Sequence, residues 1–157
     1  MCYYYTGDQM YALYAAGLAC LLAQLLKPFV NRIINKEWNW KLMHSTGGMP
    51  SSHAATVSAL ALAVGLLDHF NSTTFAVVTV FGTIVCYDAA NVRFYAGQNI
   101  SLTERLITDL KELSLLSLDD PIYEKKMKDV LGHTYVEVFF GILLGLLVAW
   151  ILYLIMF

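Results

Sequence analysis

Val136–Phe157, VEVFFGILLGLLVAWILYLIMF, carries one charge, Glu137, near its start and none after it. A helix needs about 20 apolar residues to cross ~30 Å of hydrocarbon, and this run meets that length alone. It places the chain in the membrane. The rest of the sequence agrees: 58% of the 157 residues are hydrophobic and 14% are charged, against about 25% charged in soluble domains.

Three further apolar segments lie upstream, Tyr11–Leu26, Ala54–Leu67 and Phe75–Tyr87. The second and third reach spanning length only when their polar ends are counted, as Pro50–Phe70 and Thr73–Arg93. The sequence therefore predicts an all-α polytopic membrane helix bundle in one membrane domain, residues 1–157, with about four transmembrane helices near 9–27, 52–70, 73–92 and 134–157. A polar cap over 94–131 is expected to hold short interfacial helices. Ser101-x-x-Glu104 has the pattern of a capping box before one of them, and Asp119-Asp120-Pro121 that of another helix start. Gly141-x-x-x-Gly145 and the series Ala55, Ala59, Ala63 offer small faces for close helix packing, inside the bundle or in a homodimer. Cys2, Cys20 and Cys86 have no metal or redox spacing.

All ten Lys and Arg residues fall between Lys27 and Lys41 or between Arg93 and Lys128. With four spans these windows share one face. Asp8, Asp68 and His69 occupy the other, which has no Lys or Arg. The positive-inside rule makes the basic face cytoplasmic and puts both termini outside. The first apolar run lacks the basic region of a cleavable signal and is read as a permanent span, in an integral protein of a bacterial plasma membrane. A net charge of −2 argues against nucleic-acid binding.

The chemically dense strings lie at that basic face. Gly47-Gly48-Met49-Pro50-Ser51-Ser52-His53 precedes an apolar helix. Its glycines allow a turn whose N–H groups converge on an anion, and a serine cap exposes a helix N-terminus that favours negative charge. Ser51, Ser52 and Gly48 are thus candidate anion ligands, and His53 a candidate proton donor. His133 and Glu137 are four apart on one helix face, so the carboxylate can fix the imidazole tautomer and make the ring a stronger nucleophile or base. Thr134 adds a hydroxyl. Asp88 and Arg93 close the third segment; Arg presents a planar fork to phosphate oxygens, and Asp88 can orient it. Lys27 is a further phosphate ligand candidate, with Lys41 and His44 as weaker ones. Each string also has a plain structural use: a serine cap, an ion pair at a helix start, an arginine ending a span. The cluster Lys125, Lys126 and Lys128 suits orientation and lipid headgroups.

Taken together, Gly-Gly-Met-Pro-Ser-Ser-His (47–53), Asp-Ala-x-x-Val-Arg (88–93) and Leu-Gly-His-Thr-x-x-Glu-Val (131–138) resemble the divergent bacterial and plastid branch of the type-2 phosphatidic acid phosphatase superfamily, which also includes vanadium-dependent haloperoxidases. Relative to the wider superfamily, Ser52 replaces a glycine and Glu137 an aspartate. Met127 stands where an arginine is usual, so Arg93 is the candidate guanidinium. The resemblance implies hydrolysis of a lipid phosphate monoester or diphosphate at the bilayer, without metal or other cofactor. His133 would be the nucleophile, Glu137 its orienting carboxylate and His53 the acid. Lys27, Arg93, Ser51, Ser52, Gly48, Asp88 and Thr134 would surround the phosphate. Two other functions fit the same residues: a non-catalytic protein binding anionic lipid, and a small transporter or metal-binding membrane protein using Asp88 and Glu137.

Overall fold

The computed structural model describes residues 5–45, 47–112 and 133–157. It is built from α1 (Tyr5–Asn35), α2 (Ser52–Asp68), α3 (Thr73–Tyr87), α4 (Arg93–Glu112) and α5 (Tyr135–Met156). A 3₁₀ turn at Trp40–His44 lies between α1 and α2, and a π turn at Asp88–Val92 joins α3 to α4. Three stretches are long and apolar enough to cross a membrane: Met10–Asn35, Thr73–Leu110 and Tyr135–Met156. Helix α2, with 17 residues, is shorter. The protein is an all-helical membrane bundle.

Helix α2 is the centre, packed on α1, α3 and α5, while α1 also packs on α5. Its sequence explains that position. Ala54, Ala55, Ser58, Ala59 and Ala63 are buried, so neighbouring backbones come close. A Cβ added at Gly141 of α5 would stand 2.5 Å from the Ser51 carbonyl oxygen. One added at Gly145 would collide with the Ala55 carbonyl and Ser58 Oγ. The small stripes thus serve contact within the bundle, where apolar lipid leaves helix association to close packing and hydrogen bonds. Ser58 Oγ donates to the Ala54 carbonyl at 2.7 Å and also lies 3.2 Å from the Ile142 carbonyl on α5.

At the end of the bundle away from the motifs, the buried Tyr11 hydroxyl donates to the Ala149 carbonyl at 2.7 Å. Tyr153 and Phe157 meet its ring edge-on. Tyr11→Phe is expected to lower bundle stability by about 1 kcal/mol, the usual net contribution of one hydrogen bond, since the Ala149 carbonyl keeps its partner within α5. Reversible unfolding in mixed micelles measures it, and an unchanged midpoint would show the hydrogen bond to be dispensable.

The expected break after the third span is absent. The Arg93 N–H donates to the Asp88 carbonyl, and Thr73–Leu110 forms one 38-residue helical stretch. At ~1.5 Å per residue this is about 57 Å, nearly twice the hydrocarbon thickness. Residues 94–112, expected as cap, thus follow α3 in helix through the π turn. Ser101 sits in mid-helix rather than at a helix start. A capping box works only where the preceding residues have left helical geometry, and here they have not. Helix α1 likewise continues through Pro28, past Lys27, to Asn35. Asp119–Pro121, the Lys125–Lys128 cluster, Leu131 and Gly132 lie outside the described residues.

Candidate active site

Three backbone and side-chain hydrogen bonds assemble the site. The Ser51 N–H donates to the Glu137 carbonyl at 3.0 Å, and the His133 N–H to the Ala89 carbonyl at 2.9 Å. The Tyr135 hydroxyl donates to Asn91 Oδ1 at 2.5 Å. The starts of α2 and α5 and the π turn are thereby tied together, although they are far apart in sequence.

Ser51 is the N-cap of α2, its Oγ accepting from the Ala54 N–H at 3.4 Å. Its own N–H is engaged by Glu137, so Ser51 brings no unengaged backbone donor to an anion. Ser52 and His53 are the first two helical residues, whose N–H groups have no partner within a helix. These are the backbone donors the first motif can offer.

His133 is 1% exposed. Its Nδ1 lies 3.0 Å from Glu137 Oε2, and its buried Nε2 has no hydrogen-bond partner among the described residues. A carboxylate on Nδ1 assigns the proton to that nitrogen and leaves the Nε2 lone pair available. Glu137 does a second job. Its Oε2 accepts from the Thr134 N–H at 3.1 Å, and the Thr134 hydroxyl accepts from the Glu137 N–H at 3.3 Å. This reciprocal capping box pins the carboxylate that pins the histidine. It was readable in the sequence as Thr-x-x-Glu before an apolar run, a signal the sequence reading passed over.

The His53 ring is 5.9 Å from that of His133, centroid to centroid, at an interplanar angle of 66°. Its Nδ1 is also buried without a partner among the described residues. Arg93, His133, Lys27 and Asp88 all lie within electrostatic reach of His53. Two histidines with an unpartnered nitrogen each, side by side and near Arg93 and Lys27, can hold an anion and exchange protons with it. Unsatisfied buried nitrogens are rare enough to require such an explanation.

Arg93 Nε is 2.7 Å from Asp88 Oδ2, with the side chains 44% and 38% exposed. The π turn creates this pair. In an α-helix, residues five apart point ~140° away from each other; the wider turn brings them onto one face. The pairing uses Nε and leaves both Nη groups of the fork without a hydrogen bond among the described residues. Such single π turns recur at functional sites, and nothing in Asp-Ala-Ala-Asn-Val-Arg announces one. Asn91 and Tyr135, which fasten it to α5, were not singled out in the sequence.

Lys27 is 1% exposed, and its Nζ donates to the Ser45 carbonyl at 2.8 Å. Gly48 has φ +91°, a conformation that favours glycine, and its open side faces the Lys27 stem, 3.8 Å from Cδ to a notional Cβ. Lys27, Gly48, Thr134 and Glu137 line a cleft of about 380 Å³ between α1 and α5. Lys41 and His44 lie on the 3₁₀ turn with exposed side chains, apart from this group. Among the described residues, no three His, Cys, Asp or Glu side chains gather as a metal-ligand set.

Comparison with known proteins gives two matches. The family model described as "Divergent PAP2 family" matches residues 9–148. The "Uncharacterized membrane protein YuiD" of Bacillus subtilis (strain 168) is 38% identical over 139 residues, covering 85% of this chain and 88% of that protein. No solved structure matches.

Proposed function

Because the chain belongs to the Divergent PAP2 family, and because His133 has Nδ1 held by Glu137 and Nε2 unpartnered, we propose that it is a membrane phosphohydrolase. Its substrates are lipid phosphate monoesters or diphosphates, and its intermediate is a phosphohistidine. The observation that carries this reading is the polarised His133 facing a second histidine.

In the first half-reaction, the His133 Nε2 lone pair forms a bond to phosphorus as the bond to the leaving oxygen breaks. Protonated His53 gives its proton to that oxygen. Glu137 stabilises the cationic ring of the phosphohistidine. In the second half, neutral His53 takes a proton from water, whose oxygen bonds to phosphorus while the P–Nε2 bond breaks. Inorganic phosphate leaves, His53 is protonated again, and His133 regains its lone pair. Lys27, the Arg93 Nη groups and the Ser52 and His53 N–H groups stabilise the equatorial oxygens. Asp88 orients Arg93. Ser51 and Thr134 hold the helix starts, and Gly48 supplies the positive-φ turn that passes beside the Lys27 stem.

The charge asymmetry of the sequence supports a cytoplasmic site with both termini outside. Labelling of single cysteines placed at Ser45 and Asp68 from either side of a vesicle tests that orientation.

The purified full-length chain is expected to release inorganic phosphate from at least one of phosphatidate, phosphatidylglycerophosphate or a polyprenyl diphosphate, at the same rate with and without a chelator. Failure to hydrolyse any of them would overturn the activity. Release that stops with the chelator would overturn the mechanism in favour of a metal-bound one.

A further inference from the structure

The 380 Å³ cleft does not end at its polar wall. Val30 and Met49, which line it, also line a second cavity of about 280 Å³. That cavity is walled otherwise by Leu26, Pro50, Phe140, Leu143, Leu144 and Leu147. The two adjoin along the α1–α5 groove, the first lined in part by Lys27, Thr134 and Glu137 and the second wholly apolar. The α5 wall explains why. Glu137, Phe140, Leu144 and Leu147 are three, four and three residues apart, so they make a single stripe on one helix face. From Glu137 to Leu147 the stripe runs ten residues, about 15 Å at ~1.5 Å each. This is half of a ~30 Å hydrocarbon core, the depth of one leaflet.

We propose that the α1–α5 groove is the subsite for one hydrocarbon chain of the substrate lipid. The lipid's phosphate end is drawn toward buried Lys27 and its chain lies along Phe140, Leu144 and Leu147. Three observations on the groove commit it to a phosphate-bearing amphiphile: a buried cation at its head, no charged side chain among the residues lining its lower part, and a length that matches one leaflet. The substrate then enters sideways from its own leaflet on the Lys27 and Glu137 side of the site, and chain contact contributes to recognition. The inference rests on the proposed phosphohydrolase reading, since that reading supplies the phosphate.

The test uses the full chain in nanodiscs, with a lysophosphatidate carrying a diazirine in its acyl chain as probe. A monoacylglycerol with the same chain is the neutral counterpart. Photolabelling is expected to concentrate on Phe140, Leu143 and Leu147 and to be competed by unlabelled lysophosphatidate but not by glycerol phosphate. Leu144→Trp, which fills the groove, is expected to lower it about tenfold, the equivalent of two buried methylenes. Val77→Trp, on the exposed outer face of α3, is expected to leave it unchanged. Even labelling of α3 and α5, equal labelling by the neutral lipid, or a stable dimer whose contact masks Leu143 and Leu147 would each overturn the subsite. Hydrolysis measured on the same samples separates the two ideas. Specific groove labelling without hydrolysis sinks the activity and leaves the subsite. Hydrolysis indifferent to chain length and to Leu144→Trp sinks the subsite and leaves the activity.

Discussion

His133→Ala is expected to cut phosphate release from a lipid phosphate at least a thousandfold, roughly 4 kcal/mol of transition-state stabilisation. The substitution removes the atom that bonds to phosphorus, and no other described side chain holds both a carboxylate partner and an unpartnered ring nitrogen. The fold should survive it. His133 precedes the α5 cap, and its structural tie to the π turn runs through the backbone N–H, which alanine keeps. Glu137→Gln should cost less, about ten- to a hundredfold, because an amide still accepts the Nδ1 proton but offers no charge to the phosphohistidine. His53→Ala should slow both half-reactions, and the acid-labile phosphoenzyme trapped by acid quench of the wild type should be absent from His133→Ala. Wild-type turnover in a folded His133→Ala protein would remove the phosphohistidine from the mechanism.

The second large effect is structural. Gly145→Leu is expected to destabilise the bundle by about 3 kcal/mol or more, at the upper end for overpacking. The obstacle is the Ala55 carbonyl together with Ser58 Oγ, backbone and a short side chain that have no alternative place to go. Separating α5 from α2 also stretches the Ser58 contact with the Ile142 carbonyl and tilts the helix that presents His133. Activity and stability should therefore fall together. Gly17→Ala is the contrast: nothing lies within 4 Å of the added carbon, and a change of less than about 1 kcal/mol is expected. Steric-trap or mixed-micelle unfolding measures both. Equal tolerance at the two positions would mean that α2 and α5 do not pack as closely as described.

The helices and the convergence of His53 with His133 were legible because both depend on local pattern: apolar run length, and polar residues at helix starts on one face. Packing of the Gly141–Gly145 stripe on Ala55 was legible for the same reason. Elsewhere a residue had two uses. Arg93 has the chemistry of a stop at the membrane surface, yet its N–H continues the helix to the next segment. Lys27 looks like the end of a span, yet α1 folds on through Pro28 and buries the amine beneath a loop that only Gly48 permits. Glu137 was read as the partner of His133 alone, whereas it also closes the α5 cap. The π turn was invisible because its geometry comes from docking: the Ala89 carbonyl and Asn91 reach α5, and no residue type between Asp88 and Val92 demands a wide turn.

That turn makes the protein sensitive to counting. The helical stretch from Thr73 to Leu110 holds two α-helical screws of the same hand joined by one wider turn, and that turn is where His133 is fastened. Ala89 and Ala90 fill it as buried residues; removing one residue closes it into an ordinary α-helical turn. Asp88 and Arg93 would then stand four apart, still on one helix face, but the wide turn that carries the Ala89 carbonyl and Asn91 to α5 would be lost while every remaining side chain kept its identity. The site is thus set by the number of residues between its parts as firmly as by their kinds.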